Sequence, residues 1–454
     1  MQIYLNRLRS ILTLLFIFLY FANIFMESST INTSIALIVI FLLLINLPFL
    51  TGVNKYVSLI LFLGGLVLLI YFKGDITHWI SAFTKNAGLI CLLITVPLLA
   101  IPLAFEDFQQ AISSSTQKYL NDSQSFYLIT NILAYSMGML INVAGISIVY
   151  QLLYKSAEQY PRSLFITALT RGYGCCVFWS PNFISVAVIL HYLDLPWISI
   201  APWGFVFAGI SIFVAYVLQK FSSLPNANDN ISDLNFVSMD KENTKILRKL
   251  IMLGSFLLFL IVILEYFTGK SVLVIVPLVA VIFPFVVAIL WKKQFIYFQA
   301  LFNYYNTSLP KMKNEIVLFT VAGFFGQALT IAGIGELLPK AISNSGIEHS
   351  FLYILLIIAI MVFPSLIGIH PVVSGSTIAV TLPVSMLPLM PIQYAMTLLT
   401  GWTLAILLSP FSGTVLVTAA VTNETPFNVG MVWNWRYALI LSAVYILILP
   451  FIPI

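Results

Sequence analysis

The sequence predicts an all-α polytopic membrane protein built from two related halves with broken helices. Three observations lead there. The chain is too apolar for water, its one long polar stretch lies near the middle, and islands of Gly, Pro and hydroxyl residues recur in order in both halves.

Hydrophobic residues make up 60% of the 454 residues, charged residues 8%, and the mean hydropathy is +1.02. A soluble domain is about a quarter charged, so no water-facing surface could be built from this composition. Runs such as Ile11–Met26, Ile35–Leu50, Ile251–Leu264 and Tyr437–Ile454 approach or reach the roughly 20 residues that cross a hydrocarbon layer. About ten to twelve such segments are expected. The first is expected to be a span, not a cleaved leader, because it lacks a small-residue cleavage site and many more spans follow.

The net charge of +5 comes from Lys and Arg in short loops, which speaks of topology and not of nucleic acid. Arg7 and Arg9 ahead of the first span place the N-terminus in the cytoplasm. Cys91, Cys175 and Cys176 lie in apolar stretches without metal-type spacing and read as small buried hydrophobes.

Ser222–Lys249 is the polar stretch, with Pro225, Asn226, Asn228, Asp229, Asn230, Asp233 and Asp240 followed by Lys241, Glu242, Lys245, Arg248 and Lys249. Turn formers and mixed charge mark a cytoplasmic linker. It divides the chain into a first repeat at 1–221, the linker at 222–249 and a second repeat at 250–454.

A repeat is visible across that divide. Ala111-Ile112-Ser113-Ser114-Ser115 recurs as Ala341-Ile342-Ser343-Asn344-Ser345, an offset of about 230, and the same offset pairs Gly138 with Gly368 and Gly145 with Gly375. Gly172-Tyr173 followed by Ser180-Pro181 recurs as Gly401-Trp402 followed by Ser409-Pro410. Backbone groups in hydrocarbon must be satisfied inside the helix, so such islands survive at depth only where a helix breaks against protein or a water-filled cavity. Broken helices offer free N–H groups and a positive dipole end to an anion, and freed carbonyls and hydroxyls to a cation such as Na⁺. The candidate solute and ion site is therefore Asn142, Gly145, Ser147, Ser180, Pro181, Asn182 and Ser185 in the first half, and His370, Ser374, Gly375, Ser376, Thr377, Ser409, Ser412 and Thr414 in the second. Each of these residues taken singly has a plainer use, as a helix-packing glycine or a hydroxyl bonded to the preceding turn. No cofactor is expected, and no metal beyond a coupling Na⁺ at the same islands.

Asn314-Glu315-Ile316-Val317-Leu318-Phe319-Thr320-Val321-Ala322-Gly323-Phe324-Phe325-Gly326-Gln327, with Ile331-Ala332-Gly333-Ile334-Gly335 after it, resembles the segment that opens the second-half hairpin in the ion transporter superfamily. That group holds divalent anion:sodium symporters, citrate and arsenite carriers, and the large membrane subunits of tripartite transporters. Ser180-Pro181-Asn182, Trp197-Ile198-Ser199-Ile200 and Phe205-Val206-Phe207-Ala208-Gly209-Ile210 are similar to the end of the first half in the tripartite subunits. The resemblance implies two inverted repeats of about five spans each, with re-entrant hairpins and broken helices meeting at a central site, a homodimer, and elevator-like movement of the transport domain; the expected location is the plasma membrane (the bacterial inner membrane). Its dicarboxylate branch carries a Ser-Asn-Thr triplet at each hairpin tip. Here those positions read Ile141-Asn142-Val143 and Ser374-Gly375-Ser376-Thr377, a departure that leaves the solute open.

Of the ionisable residues, His370 lies inside a break and suits proton coupling, anion binding or helix capping. Arg171 is expected to snorkel from a span end, Glu265 and Glu336 to sit at the interface, and His191 and Asp194 to flank a loop at Pro196. His-Glu-x-x-His, a phosphate loop ending in Gly-Lys-Ser/Thr and Gly-x-Ser-x-Gly are absent from the sequence, so it is not expected to be an enzyme. The expected function is secondary transport of a small anion coupled to Na⁺ or H⁺, with a Na⁺/H⁺ antiporter or metalloid-efflux carrier of the same fold as the alternative. A polysaccharide polymerase or ligase fits less well, because the longest polar segment reads as cytoplasmic and lacks an arginine cluster. A channel ranks lower still.

Overall fold

The computed structural model describes residues 2–116, 120, 122–221, 241–333 and 349–452. Among them the regular elements are helical, and ten stretches are long and apolar enough to cross a bilayer. The chain is a polytopic all-α membrane protein.

Helices α1 (Gln2–Met26), α2 (Ser29–Asn46) and α3 (Val53–Tyr71) open the fold. Next, α4 (Ile76–Thr84) and α5 (Ala87–Thr95) share one interrupted span. Asp75 starts it, accepting the His78 N–H at 2.8 Å, and Pro97 and Pro102 tighten its end into the 3₁₀ turns of Val96–Ala104. After α6 (Phe108–Thr116), Asp122 caps α7 (Ser123–Ile141) by accepting from Gln124 N and Ser125 N, both at 2.9 Å.

Asn142 then turns the chain back with φ of +55°, and α8 (Ala144–Ala157) returns along α7. The reversal is tight. A Cβ on Gly145 would stand 2.7 Å from the Met137 carbonyl carbon, so only glycine fits there. Helix α9 (Arg162–Gly174) ends in the 3₁₀ turn Cys175–Phe178, breaks, and resumes as α10 (Ile184–Leu193), with α11 (Trp197–Lys220) closing the half.

The second half begins with α12 (Lys241–Thr268), α13 (Val272–Leu290), α14 (Gln294–Asn303) and α15 (Lys313–Ile331). A second hairpin follows, made of α16 (Ser350–Leu366) and α17 (Pro371–Thr381), and turns at Gly368 with φ of +96°. Finally α18 (Pro391–Leu408) breaks before α19 (Gly413–Thr422), and α20 (Trp433–Ile448) ends the fold.

The order hairpin, broken helix, long helix thus occurs twice. Helices α7 and α16 start 227 residues apart, as do α8 and α17; the α9–α18 and α10–α19 starts differ by 229. Equivalent glycines seat the broken helices on the hairpins. Gly172 of α9 meets Asn131 of α7, where a Cβ would lie 2.1 Å from the carbonyl oxygen; Gly401 of α18 meets Met361 of α16, where it would lie 2.7 Å from a side-chain carbon. A second group, α1–α5 with α12–α15, packs partly around Phe324, whose ring lies 4.6 Å from Phe83, 5.5 Å from Phe62 and 6.1 Å from Trp79. The two groups touch along α15 against α17 and along α5 against α10.

Several expectations change. The tips lie at Asn142 and Gly368, so the pairing of Gly138 with Gly368 does not mark equivalent turns: Gly138 sits inside α7 against Tyr173. Ser374–Thr377 is likewise not a tip but the body of α17, because Gly368 and Pro371 complete the reversal earlier. Asn314–Gln327 forms one straight run of α15 ahead of the hairpin, not an arm of it. Lys241–Lys249, at the end of the expected linker, is the first part of α12, with Asn243 and Leu250 buried and Lys249 held by Glu106 at 2.6 Å. Arg171 does not snorkel. It is 7% exposed, with three hydrogen-bond partners inside the protein. Glu265 is buried and accepts the Trp197 N–H at 2.8 Å, capping α11. His191 lies in the last turn of α10, which Asp194 ends in the left-handed region. Ser222–Asp240, the repeat segment Ala341–Ser345 and Glu336 lie outside the described residues.

Candidate functional site

The first hairpin tip is fixed by one carboxamide. Asn142 Oδ1 accepts from Val143 N at 2.8 Å and from the Tyr173 hydroxyl at 2.6 Å, which ties the tip to α9. The Thr414 side chain, in the first turn of α19, faces the same hydroxyl. One phenol therefore joins a tip, a broken helix of its own half and a broken helix of the other. Its ring packs on Phe183, centroids 5.4 Å apart.

The break between α9 and α10 leans on that tip. Asn182 Nδ2 donates to the Met139 carbonyl at 3.4 Å, Cys176 Sγ to the Tyr135 carbonyl at 3.0 Å, and Ser185 Oγ to the Val177 carbonyl at 3.1 Å across the break itself. Pro181 keeps Ser180 out of the helical region, so α9 cannot run on into α10. Two oxygens remain unmatched. Ser180 Oγ and Asn182 Oδ1 have no partner, in side chains that are 0% and 3% exposed. A buried polar atom in that condition costs about 1–3 kcal/mol until a ligand or water meets it.

The second half uses its polar groups otherwise. His370 Nδ1 accepts the Val372 N–H at 3.2 Å and so caps α17, while its ring meets Trp402 edge-on at 6.4 Å. Gly375 lies beneath the same indole, which its missing Cβ would approach to 3.2 Å. Ser376 Oγ donates to the Val373 carbonyl at 3.2 Å, and Thr377 supplies its carbonyl to Thr381 Oγ1 at 2.8 Å. At the break, Ser409 Oγ donates to the Ser365 carbonyl and accepts the Phe411 N–H at 3.2 Å; Ser412 Oγ donates to the Ile406 carbonyl at 2.6 Å and accepts the Val415 N–H at 3.2 Å.

The halves interlock at the centre. Gly174 faces Leu407 where α9 and α18 meet, α10 packs on α17 and α18, and α19 packs on α8 and α9. Four half-helices, α8, α10, α17 and α19, thus begin in or beside these breaks and present positive dipole ends. Asn142 and Thr414 meet at Tyr173, Asn182 ties the first break to the Met139 carbonyl of the same hairpin, Ser185 closes that break on Val177, and Gly145, Ser180 and Pro181 belong to the same tip and break. His370 and Gly375 gather around Trp402, and Ser409 and Ser412 brace the second break. Ser147 lies half-buried on α8 and Ser374 buried on α17, and neither belongs to these two clusters. Sequence reasoning left out Tyr173 and Trp402, although the recurring Gly172-Tyr173 and Gly401-Trp402 pairs had pointed at both. Among the described residues no His, Cys, Asp and Glu cluster could hold a metal ion, and the three cysteines are buried.

No protein-family model matches the chain, and no curated protein matches by sequence. The fold does have a solved counterpart: the YdaH transporter of Alcanivorax borkumensis, described as having an unusual topology. The two superpose with a TM-score of 0.51 over 84% of this chain and 87% of that one, at 15% identity. The likeness is one of fold.

Proposed function

We propose that this chain is a secondary active transporter that moves a small anionic solute across the plasma membrane, coupled to Na⁺ or H⁺, with the solute and ion meeting at the paired hairpins and broken helices. The observation that carries the reading is the Tyr173 junction, where the Asn142 tip meets Thr414 from the other half beside two unpartnered buried oxygens. Half-helix N-termini suit an anion, and the Ser180 and Asn182 oxygens suit a cation that prefers oxygen ligands. The likeness in fold to a protein named as a transporter agrees with it.

Membership of the ion transporter superfamily, inversion of the repeats and elevator movement belong to the same proposal. The division into one group of hairpins and broken helices, α7–α11 with α16–α20, and a second group around it gives such a movement a body and a frame. A homodimer with a cytoplasmic N-terminus completes the picture. The test is uptake into proteoliposomes across a panel of organic and inorganic anions, with Na⁺ and pH gradients imposed separately. Solute accumulation driven by one gradient is the expected result; no gradient-driven flux of any anion would reject the proposal.

A further inference from the structure

We infer that Arg171 sets the sign of the solute: its guanidinium is a permanent positive charge on α9, two residues before Tyr173 and on the opposite face of that helix, and its field makes the site select an anion. The inference rests on the site proposed above but not on transport itself. Arginine cannot shed its proton in a protein, so burial leaves a full charge to be balanced. Here the balance is made of dipoles alone. Arg171 Nε donates to Asn434 Oδ1 at 2.9 Å, one terminal nitrogen to the Tyr127 hydroxyl at 3.1 Å and the other to the Trp433 carbonyl at 2.9 Å, with the Tyr437 ring 4.6 Å from the guanidinium carbon. Among the described residues no carboxylate pairs with it.

The fold does not demand this charge. The repeat-related position, 229 residues on, is Thr400, which bonds only to the Met396 carbonyl of its own helix at 2.7 Å and builds the same α18 without any charge. Nor does the surface claim it, because the side chain is buried. What lies within range of its field is the site. Arg171 and Tyr173 are two positions apart on α9 and face opposite ways, which puts guanidinium and phenol roughly 12–15 Å apart. At that range a unit charge favours an anion over a neutral solute roughly five- to tenfold, ~1–1.4 kcal/mol, at an effective dielectric constant of about 20.

Two substitutions remove the charge by different routes. Asn434→Asp gives the guanidinium a carboxylate in the same place, and Arg171→Gln deletes it; Arg171→Lys keeps it. Binding is read on detergent-purified protein by thermal-shift titration with succinate, citrate, benzoate and sulfate, beside the neutral succinamide and benzamide. Wild type should be stabilised by at least one of the anions and by neither amide. Asn434→Asp and Arg171→Gln should weaken that anion five- to tenfold, and Arg171→Lys should hold it within about twofold. Should Arg171→Gln fail to fold, Asn434→Asp decides. Stabilisation of wild type by the amides as strong as by the anions, by no anion at all, or an unchanged anion affinity in folded Asn434→Asp, would overturn the inference. Anion binding without any flux in proteoliposomes would instead count against the transport reading and leave this one standing.

Discussion

The two broken helices carry the same Ser-Pro step and spend it in opposite ways. In the first, Ser180 Oγ and Asn182 Oδ1 face no donor; in the second, Ser409 and Ser412 each give and receive a hydrogen bond. Replacement of Asn182 and Phe183 by Phe411 and Ser412 at the matching places accounts for part of this, since Ser412 can cap α19 where Phe183 cannot cap α10. A repeat therefore supplies a shared frame, and small divergences decide which half keeps oxygens free for a ligand and which half uses them as struts.

The largest expected contrast concerns how the broken helices are seated. Gly172→Ala would drive a methyl group into the Asn131 backbone at 2.1 Å, and neither main chain can yield. Gly401→Ala meets Met361 Cβ at 2.7 Å and Cγ at 2.8 Å but no main-chain atom closer than 3.5 Å; a rotamer change moves the Cγ, and the Cβ contact is relieved only by a small shift of α16. The first should prevent recovery of a monodisperse folded protein. The second should lower stability by about 1–3 kcal/mol. Size-exclusion profiles and thermal unfolding of both variants would show it, and equal losses would break the proposed difference.

Next come the hydroxyls. Ser180→Ala removes an oxygen that has no partner, so thermal stability should hold or rise, while the apparent constant for the coupling ion should rise about tenfold or more. Ser409→Ala should do the reverse: it takes one of two donors from the Ser365 carbonyl, which keeps the Gly368 N–H, leaves the Phe411 N–H without its acceptor, costs about 1–3 kcal/mol of stability, and leaves ion dependence within about twofold. Ion titrations of initial uptake, paired with melting curves, separate the cases. The idea of unequal halves fails if both variants move both readouts alike.

A third contrast lies between the aromatic residues at matching places. Tyr173→Phe deletes the hydroxyl that bonds Asn142 and faces Thr414, whereas Trp402→Phe trims a packing surface against His370 and Gly375. Tyr173→Phe should slow uptake roughly tenfold with little change in melting, the cost of one charge-free bond that positions two elements. Trp402→Phe should lower melting first. Uptake at wild-type rate in Tyr173→Phe would remove the junction from the site.

Much of this was legible in the residues. The apolar spans and the islands at Asn142, Ser180–Asn182 and Ser409–Thr414 follow from what hydrocarbon forbids, and the structure has a helix turn or break at each island. The tip of the second hairpin was displaced, because Gly-Ser spacing cannot say which glycine carries the positive φ; Gly368 does and Gly375 does not. Arg171 could not be read either. A cation beside a glycine is usually a span end, and only three-dimensional neighbours such as Asn434, far along the chain, reveal that it is buried. Free and satisfied serines also look alike in one dimension, since a hydroxyl's partner is a carbonyl chosen by the fold.

The smallest expected effect compares the two hairpin tips. Asn142 and His370 both accept a backbone N–H near their own turn, but Asn142 also takes the Tyr173 hydroxyl, while His370 Nδ1 holds only Val372 N. Histidine titrates near pH 6.5 when unperturbed, which would suit a proton carrier. Protonation, however, would turn Nδ1 from an acceptor into a donor facing the Val372 N–H, and the cap of α17 would be lost. On this geometry His370 is expected to act as the cap of α17. His370→Asn replaces one cap with a better one, so melting should stay within a degree or two and pH-driven uptake should remain near wild type. Asn142→His, the reciprocal change, should cost more, because the imidazole must serve two donors from a residue at positive φ. Uptake driven by a pH gradient, measured beside solute exchange without any gradient, decides the matter: loss of driven uptake with intact exchange in His370→Asn would make His370 the proton carrier after all, and equal performance would confine it to the helix end.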